Sequence, residues 1–166
     1  SVAAMEIRPA ERRDVDAVQR IARTTWHATY DEIIGSTAVD ETVDEWYAEA
    51  VVRADITDDE TVYLVAVDDD IVGYAAGGPV DDAESGALYA IYVHPDRWGD
   101  GIGSRLFDAV TERLRDRAFE RCQIRVLADN DRARAFYERH GYTVSDREQA
   151  ELAGVEATEV VYDGAL

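Results

Sequence analysis

The chain has 166 residues, 36 of them acidic and 17 basic, and its formal net charge at pH 7 is −19. A chain of this length favours one domain, residues 1–166, and the single cysteine excludes an intramolecular disulfide. The negative surface repels nucleic acid, and no run of about 18 apolar residues that could span a membrane is present. We therefore expect a cytoplasmic protein that binds neither nucleic acid nor membranes.

The acidity itself has two interpretations. All 17 basic residues are arginine, and the acidic residues are spread along the whole chain. A clustered acidic surface would attract a cationic substrate to one cleft. An even excess of acidic residues is tolerated in a very salty cytoplasm. Salt at about 1 M screens the repulsion between charges that are more than about 3 Å apart. The composition resembles that of proteins from extreme halophiles, and we favour this second interpretation because the acidity is not clustered.

The N-terminal part of the sequence predicts a strand followed by helices. Residues 5–10 alternate like a short strand. Apolar residues at helical spacing then predict a helix over about 14–26. A broken helical connection follows, in which Gly35 acts as a stop and a second helix is expected over about 40–53.

The middle of the sequence predicts a hairpin and a central strand. Two β-branched, apolar segments, 61–67 and 71–78, flank an acidic turn at 68–70. The next segment, 87–95, is apolar on both faces, and we therefore expect it to lie inside the sheet.

Helices and strands alternate in the rest of the chain. A helix is expected over about 102–119, with Ala118 on its apolar stripe, and a strand over 122–128. The next helix begins after a capping asparagine, Asn130, and ends at Gly141. The remaining tail predicts two closing strands.

The stretch HPDRWGDGIGSRL carries three alternate glycines, Gly99, Gly101 and Gly103, between a strand and a helix. Glycine costs roughly 0.5–1 kcal/mol against alanine inside an element, so this density indicates a tight bend or the close approach of a ligand. Backbone N–H groups and the helix dipole at such a junction bind anions, phosphates above all. A nucleotide-hydrolysing loop needs a lysine, which the chain lacks. A dinucleotide loop follows the first strand of its unit, whereas this loop lies in the middle of the chain. The pyrophosphate of coenzyme A is the third possibility.

Two segments carry a resemblance to a known family. LYAIYVHPDRWGDGIGSRLFDAV and NDRARAFYERHGY, in this order and spacing, resemble the two signature motifs of the GCN5-related N-acetyltransferase (GNAT) superfamily. The resemblance covers nearly the whole chain. It implies an α/β, three-layer fold, with a central twisted mixed sheet of about seven strands and helices on both faces. The sheet is expected to splay between 87–93 and 122–128, with acetyl-CoA in the gap.

The resemblance also implies the site residues. Tyr137 is the expected general acid that protonates the departing thiolate. It follows Asn130 by seven residues, so the two lie within about 20° on one helix face. Asn130 is expected to contact cofactor amides, and the small Ala133 lets the cofactor lie against the helix. The remaining expected cofactor contacts, from the pantetheine-binding strand and the pyrophosphate loop, are Ile91, Tyr92, Val93, Gly99, Asp100, Gly101, Ile102, Gly103 and Ser104. No metal is expected.

Five further side chains have a structural and a functional interpretation each. His94 is either a titrating catalyst or, between a strand end and a proline, a structural residue, and we favour the second. Trp26 and Tyr30 are four residues apart and either line an acceptor pocket or pack in the core. Arg132 and Arg134 either reach the 3′-phosphate of the cofactor or lie on a solvated face.

The pyrophosphate loop departs from the family pattern. Trp98 stands where the family usually has Gln or Arg, and Arg97 is displaced by one position. Asp100 puts a negative charge where the family often has a basic residue, which predicts weaker phosphate binding unless salt screens it.

The base that takes the amine proton is not evident from the sequence. Family members that acetylate ribosomal N-termini carry a glutamate at the position of Arg125. Glu84, Asp31, Glu32 and Tyr89 are unranked candidates, and a chain of water molecules to bulk solvent is an equal alternative.

The expected function is transfer of acetyl from acetyl-CoA to a primary amine of a small molecule or peptide, by direct attack and without a metal. Direct attack depends mainly on positioning two bound substrates. The alternatives are a catalytically silent acyl-CoA-binding or sensing module and a generic nucleotide-binding domain. A homodimer is compatible with the sequence.

Overall fold

One mixed sheet of seven strands organises the molecule, as expected. The computed structural model describes residues 4–80 and 85–166. The strand order is β1-β2-β3-β4-β5-β7-β6. All neighbours are antiparallel except β4 and β5, which are parallel. The strands are β1 (Glu6–Pro9), β2 (Val62–Asp68), β3 (Asp70–Pro79), β4 (Ser85–Val93), β5 (Arg121–Leu127), β6 (Thr143–Leu152) and β7 (Val155–Ala165).

Helices cover both faces of this sheet and complete three layers. The first helix packs on β2 and β3 through residues such as Val18 and Val65. On the opposite face, the fourth helix buries Leu106 and Val110 against a cluster that includes Ile124. In the described part of the chain no helix is both long and apolar enough to cross a membrane. The helices are α1 (Val15–Ile34), α2 (Ser36–Trp46), α3 (Glu49–Thr57), α4 (Ile102–Asp116) and α5 (Asp131–Arg139).

The helical region before β2 differs from its prediction. The first helix does not stop near 26 but continues to Ile34, and the expected helix over 40–53 is two helices. Tyr47 causes the break, because its hydroxyl accepts a hydrogen bond from the Tyr74 hydroxyl of β3 at 2.7 Å. Its carbonyl accepts from Gln19 Nε2 at 2.8 Å. A contact with a distant strand therefore ends α2 where the sequence pattern continues.

The C-terminus of α4 is also shorter than predicted. Ala118, expected on the buried stripe, is exposed and has φ of 70°. The Ala118 N–H donates to Arg115 O, and the Phe119 N–H donates to Leu114 O, which is the pattern that closes a helix with a left-handed residue. The turn carries the Phe119 ring back over Gly86 of β4, where an added Cβ would lie 3.2 Å from that ring.

The sheet parts between its two middle strands. β4 and β5 pair only between Ser85–Leu88 and Arg121–Ile124. The register of β3 and β4 shifts between Ala76 and Gly77, so that Ala76 lies opposite Ala90 and Gly77 lies opposite Leu88. Gly77 is required at this bulge, because an added Cβ would lie 2.7 Å from Ala87 O. Beyond Leu88, the strand keeps β3 on one side and loses β5 on the other, so the predicted splay is confirmed.

Candidate active site

A cavity of about 520 Å³ lies where β4 and β5 part. It is bounded by α1, the end of β4, the glycine loop with the start of α4, and one face of α5. Segments far apart in the chain thus meet around one opening. The residues expected at the site from the sequence that line it are Ile91, Tyr92, Val93, Gly99, Gly101, Ile102, Gly103, Ser104, Asn130, Ala133 and Tyr137.

Asp100 is the one expected cofactor residue that does not line the cavity. Its carboxylate accepts a hydrogen bond from Arg97 Nε at 3.0 Å. Arg97 also donates to Asp68 at 3.0 Å, so two carboxylates balance its charge. Arg97, which itself lines the cavity, thus binds the negative side chain of Asp100, which does not.

The glycine loop leads into a helix N-terminus that opens on the cavity. Gly99 and Gly101 have φ of 87° and 82°, and no protein atom lies within 4 Å of a Cβ added at either. Glycine is therefore needed there for backbone conformation. Arg105 N makes the first helical bond, to Gly101 O, and no side chain caps the helix. The N–H groups of residues 102–104 consequently have no intrahelical partner, which suits an anion.

Basic side chains from α5 add positive charge to the same opening. The Arg132 guanidinium lies 4.1 Å from the centroid of the Trp98 ring, and Trp98 is held by a 2.8 Å bond from its Nε1 to Val93 O. Arg139 also lines the cavity, whereas Arg134 does not. Arg134 instead donates to Ala128 O at 3.2 Å and to the Tyr162 hydroxyl at 3.1 Å.

The lining residues that were not expected from the sequence include Arg139 and two threonines. Arg139 follows Arg132 by seven residues, the same spacing that links Asn130 and Tyr137, so helical periodicity could have found it. Thr25 and Thr29 line the α1 wall. Their spacing of four residues on one helix face is the signal that was available.

Tyr137 lies on the cavity wall with only 6% of its surface exposed. Its ring packs against Phe136, Phe107 and Tyr162. Burial raises the pKa of the phenol well above its usual value, with a smaller contribution from Tyr30. The hydroxyl therefore keeps its proton at neutral pH and can act as a hydrogen-bond donor.

Asn130 joins the cavity to a pair of tyrosines. Its Oδ1 accepts from the Ala133 N–H at 3.2 Å, so it caps α5 as expected. Its Nδ2 donates to the Tyr30 hydroxyl at 3.3 Å, which lies 3.0 Å from the Tyr92 hydroxyl. Trp26 packs on Tyr30 with ring centroids 4.5 Å apart. Both aromatic residues of α1 are buried in the core and neither lines the cavity.

His94 has a structural role in this protein. Its Nδ1 accepts from the Asp96 N–H at 3.1 Å and caps the short 3-10 helix Pro95–Arg97. The ring is not part of the cavity wall. The structural interpretation of this histidine is therefore the one that the geometry favours.

None of the described base candidates lines the cavity. Asp31 accepts from His27 Nδ1 at 2.6 Å, Glu32 is exposed, and the Tyr89 hydroxyl donates to the carbonyl of Pro79. Glu84 lies outside the described residues. Within 4–80 and 85–166, no Asp or Glu lines the cavity, whereas three arginines do. The charged side chains among the described lining residues are therefore all basic, in contrast to the net negative charge of the chain.

Comparisons with known proteins agree with this architecture. The family model described as Acetyltransferase (GNAT) family matches residues 16–142. The uncharacterized N-acetyltransferase YuaI of Bacillus subtilis is 26% identical over 162 residues, which are 93% of this chain and 89% of that protein. The mycothiol acetyltransferase of Beutenbergia cavernae is 41% identical over 64 residues. That shorter match covers 39% of this chain and 22% of the relative.

A solved structure shows the same fold over nearly the full length. The PaiA N-acetyltransferase from Thermoplasma acidophilum, in complex with coenzyme A, superposes with a TM-score of 0.88 at 19% identity. The match covers 98% of this chain and 99% of that one. With the family model spanning most of the chain and the cleft formed at the parted strands, the chain belongs to the acetyltransferase (GNAT) family, as an N-acetyltransferase whose acetyl donor is acetyl-CoA.

Proposed function

We propose that the protein transfers acetyl from acetyl-CoA to a primary amine of a small molecule or peptide by direct attack, with Tyr137 as the general acid. The observation that carries the proposal is the meeting of three features around one cavity. These are an uncapped helix N-terminus, a strand edge without a neighbour, and a buried, protonated tyrosine.

The anionic end of the cofactor is assigned to the start of α4. The free N–H groups at residues 102–104 and the positive end of the helix dipole would hold the pyrophosphate. Arg132 and Arg139 line the same opening and would bind phosphate oxygens, since guanidinium groups make strong, charge-assisted hydrogen bonds to them. Arg97 contributes less because two carboxylates already accept its bonds.

The pantetheine arm is assigned to the free edge of β4. Backbone groups that have lost their neighbouring strand need hydrogen-bond partners, and the amides of the arm would supply them. The Val93 carbonyl already accepts from Trp98 Nε1 at 2.8 Å and from Thr25 Oγ1 at 3.5 Å. The arm would therefore bind along Ile91 and Tyr92, because the carbonyl of the next residue, Val93, already has hydrogen-bond donors.

The chemical step needs one donor and one proton acceptor. The amine lone pair attacks the thioester carbonyl carbon, the C–N bond forms and the C–S bond breaks with its electrons on sulfur. Tyr137 would donate its hydroxyl hydrogen to this sulfur, and its raised pKa favours a hydrogen bond in the transition state over early proton loss. Because no carboxylate of the described residues lines the cavity, we assign the amine proton to water.

Replacing Tyr137 by Phe tests the assignment. We expect kcat to fall by about 10²- to 10⁴-fold, the usual contribution of a general acid, while the Kd for coenzyme A changes less than about twofold. Thiol release would be followed with amines, polyamines and peptide N-termini in molar salt, and the Kd by calorimetry. Tyr142→Phe is the matched control, because this buried tyrosine does not line the cavity.

Two results would contradict the proposal. An unchanged kcat in Tyr137→Phe would remove this residue from the general-acid role. A wild-type protein that binds acetyl-CoA but releases no thiol with any acceptor would support the alternative, a catalytically silent acyl-CoA-binding or sensing module.

A further inference from the structure

A polar bridge crosses the opening at which the sheet parts. Tyr92 belongs to β4, Tyr30 to α1, and Asn130 to the junction between β5 and α5. The Tyr92 and Tyr30 hydroxyls are 3.0 Å apart, and Asn130 Nδ2 lies 3.3 Å from the Tyr30 hydroxyl. The three side chains thus connect the two halves of the sheet beyond Leu88, where β4 and β5 no longer share backbone hydrogen bonds.

The direction of this bridge follows from the helix cap. Asn130 Oδ1 accepts from the Ala133 N–H, so the other end of the amide, the donor Nδ2, must face Tyr30. The Tyr30 oxygen therefore accepts a hydrogen bond from Asn130, and the Tyr30 hydroxyl makes a second hydrogen bond with the Tyr92 hydroxyl. Tyr30 and Asn130 are 5% and 7% exposed. Buried groups of this kind are costly to leave unpaired, which favours a single geometry.

The bridge joins the two walls that would hold the cofactor. Tyr92 lies on the strand assigned to the pantetheine arm, and Asn130 starts the helix that carries Tyr137. All three of these residues line the cavity, whereas Tyr30 does not. Tyr30 is accordingly placed to act on the site through its neighbours.

We propose that Tyr30 is a positioning residue that sets the width of the cleft by holding Tyr92 and Asn130 at a fixed separation. The inference rests on the proposed function, because the cleft must be the cofactor site for its width to matter. A preorganised cleft binds its ligand more tightly, since less ordering remains to be done on binding. Loss of the Tyr30 hydroxyl would loosen both walls without removing any group that lines the cavity.

Replacing Tyr30 by Phe tests this inference. The ring keeps its packing on Trp26, and only the hydroxyl is lost. We expect the Kd for coenzyme A, measured by calorimetry well below the melting temperature, to rise about tenfold, which corresponds to about one buried hydrogen bond. Tyr92→Phe and the double variant complete a cycle. The double variant should lose no more affinity than Tyr30→Phe alone, because that variant already removes both hydrogen bonds of the bridge.

The matched control is Tyr74→Phe. This tyrosine is fully buried and donates a 2.7 Å hydrogen bond to the Tyr47 hydroxyl, but it does not line the cavity or join the bridge. The Tyr74→Phe variant should lower the melting temperature about as much as Tyr30→Phe and leave the Kd for coenzyme A unchanged. A purely structural role for Tyr30 would give the same pattern as this control.

The outcomes separate the bridge from the proposed function. If wild type binds coenzyme A and Tyr30→Phe binds it equally well, the bridge has no positioning role. Additive losses in the double variant would also overturn it. If wild type itself does not bind coenzyme A, the proposed function fails before the bridge is in question.

Discussion

At the scale of single residues, the three glycines of the loop look alike in sequence but differ in their backbone conformation. Gly99 and Gly101 have left-handed backbone angles, whereas Gly103 lies in the first turn of α4. A Cβ at Gly103 would make an ordinary 3.5 Å contact with the Phe136 ring. The loop therefore depends on its first two glycines for its shape, whereas the space at Gly103 would accept a methyl group.

Gly101→Ala tests the requirement for loop shape. Alanine at a φ of 82° costs roughly 1–2 kcal/mol, and relief of this strain would move the N–H groups at the start of α4. We expect a lower melting temperature and a Kd for coenzyme A several times higher, measured by thermal melting and calorimetry.

Gly154→Ala provides the matched control for this loop variant. Gly154 has the same φ of 82° and no atom within 4 Å of an added Cβ, but it lies in the turn between β6 and β7. It should lower the melting temperature similarly and leave the Kd unchanged. Equal affinities for the two variants would contradict the assignment of the pyrophosphate to this loop.

At the scale of elements, a histidine links α1 to α2. His27 contacts Asp31 of its own helix through Nδ1 at 2.6 Å and Asp40 of α2 through Nε2 at 2.7 Å. The hydrogen bond with Asp31 raises the pKa of the imidazole most, burial opposes it, and Asp40 raises it further. The protonated ring, with two N–H donors, satisfies both carboxylates at once.

The raised pKa predicts a pH-dependent link between these helices. The contribution of protonated His27 to the stability is fully present below the pKa of the unfolded state, about 6.5. It is lost as the pH rises through the higher pKa of the folded state. The melting temperature of the wild type should therefore exceed that of His27→Gln at pH about 6. The difference between the two melting temperatures should shrink towards pH about 9. Melting curves across this range measure the difference, and NMR titration of the ring checks its cause. A difference that grew with pH would contradict this account.

At the scale of the whole molecule, charge is distributed unevenly between the surface and the cleft. The chain carries a net charge of −19, yet the described residues that line the cavity include three arginines and no carboxylate. Repulsion among surface carboxylates opposes folding, while the cleft keeps a local potential suited to an anionic cofactor. The acidic surface as an adaptation to a salty cytoplasm stays a prediction.

Salt should stabilise the folded protein. Screening shortens the reach of surface repulsion from about 10 Å at 0.1 M salt to about 3 Å at 1 M. We expect the melting temperature to rise between about 0.1 M and 2 M NaCl, most steeply at the low end, where the screening length changes fastest. Sucrose at matched osmolality is the control, because it does not screen charge. A melting temperature that falls with NaCl would contradict the interpretation.

The order of elements and the position of the glycine loop were predictable from the sequence because their signals are local. The glycines of the loop impose a bend between a strand and a helix, and Asn130 and Gly141 mark the two ends of α5. Each signal needs only a few neighbouring residues. The same holds for the alternation that predicts the strands, whereas the seven-stranded sheet and its splay were implied by the resemblance to the GNAT family.

The details of the cleft depend on contacts between distant parts of the chain, and these were not predictable. Tyr30 and Asn130 are 100 residues apart in sequence and meet only when α1 packs across the parted strands. Tyr47 breaks a helix because a tyrosine of β3 lies opposite it. By itself the sequence determined the bend of the glycine loop and the two ends of α5, since local backbone preference decides bends and caps. Only the tertiary structure decided which side chains face the cleft or bridge it, because hydrogen bonds and burial between distant segments exist only after packing.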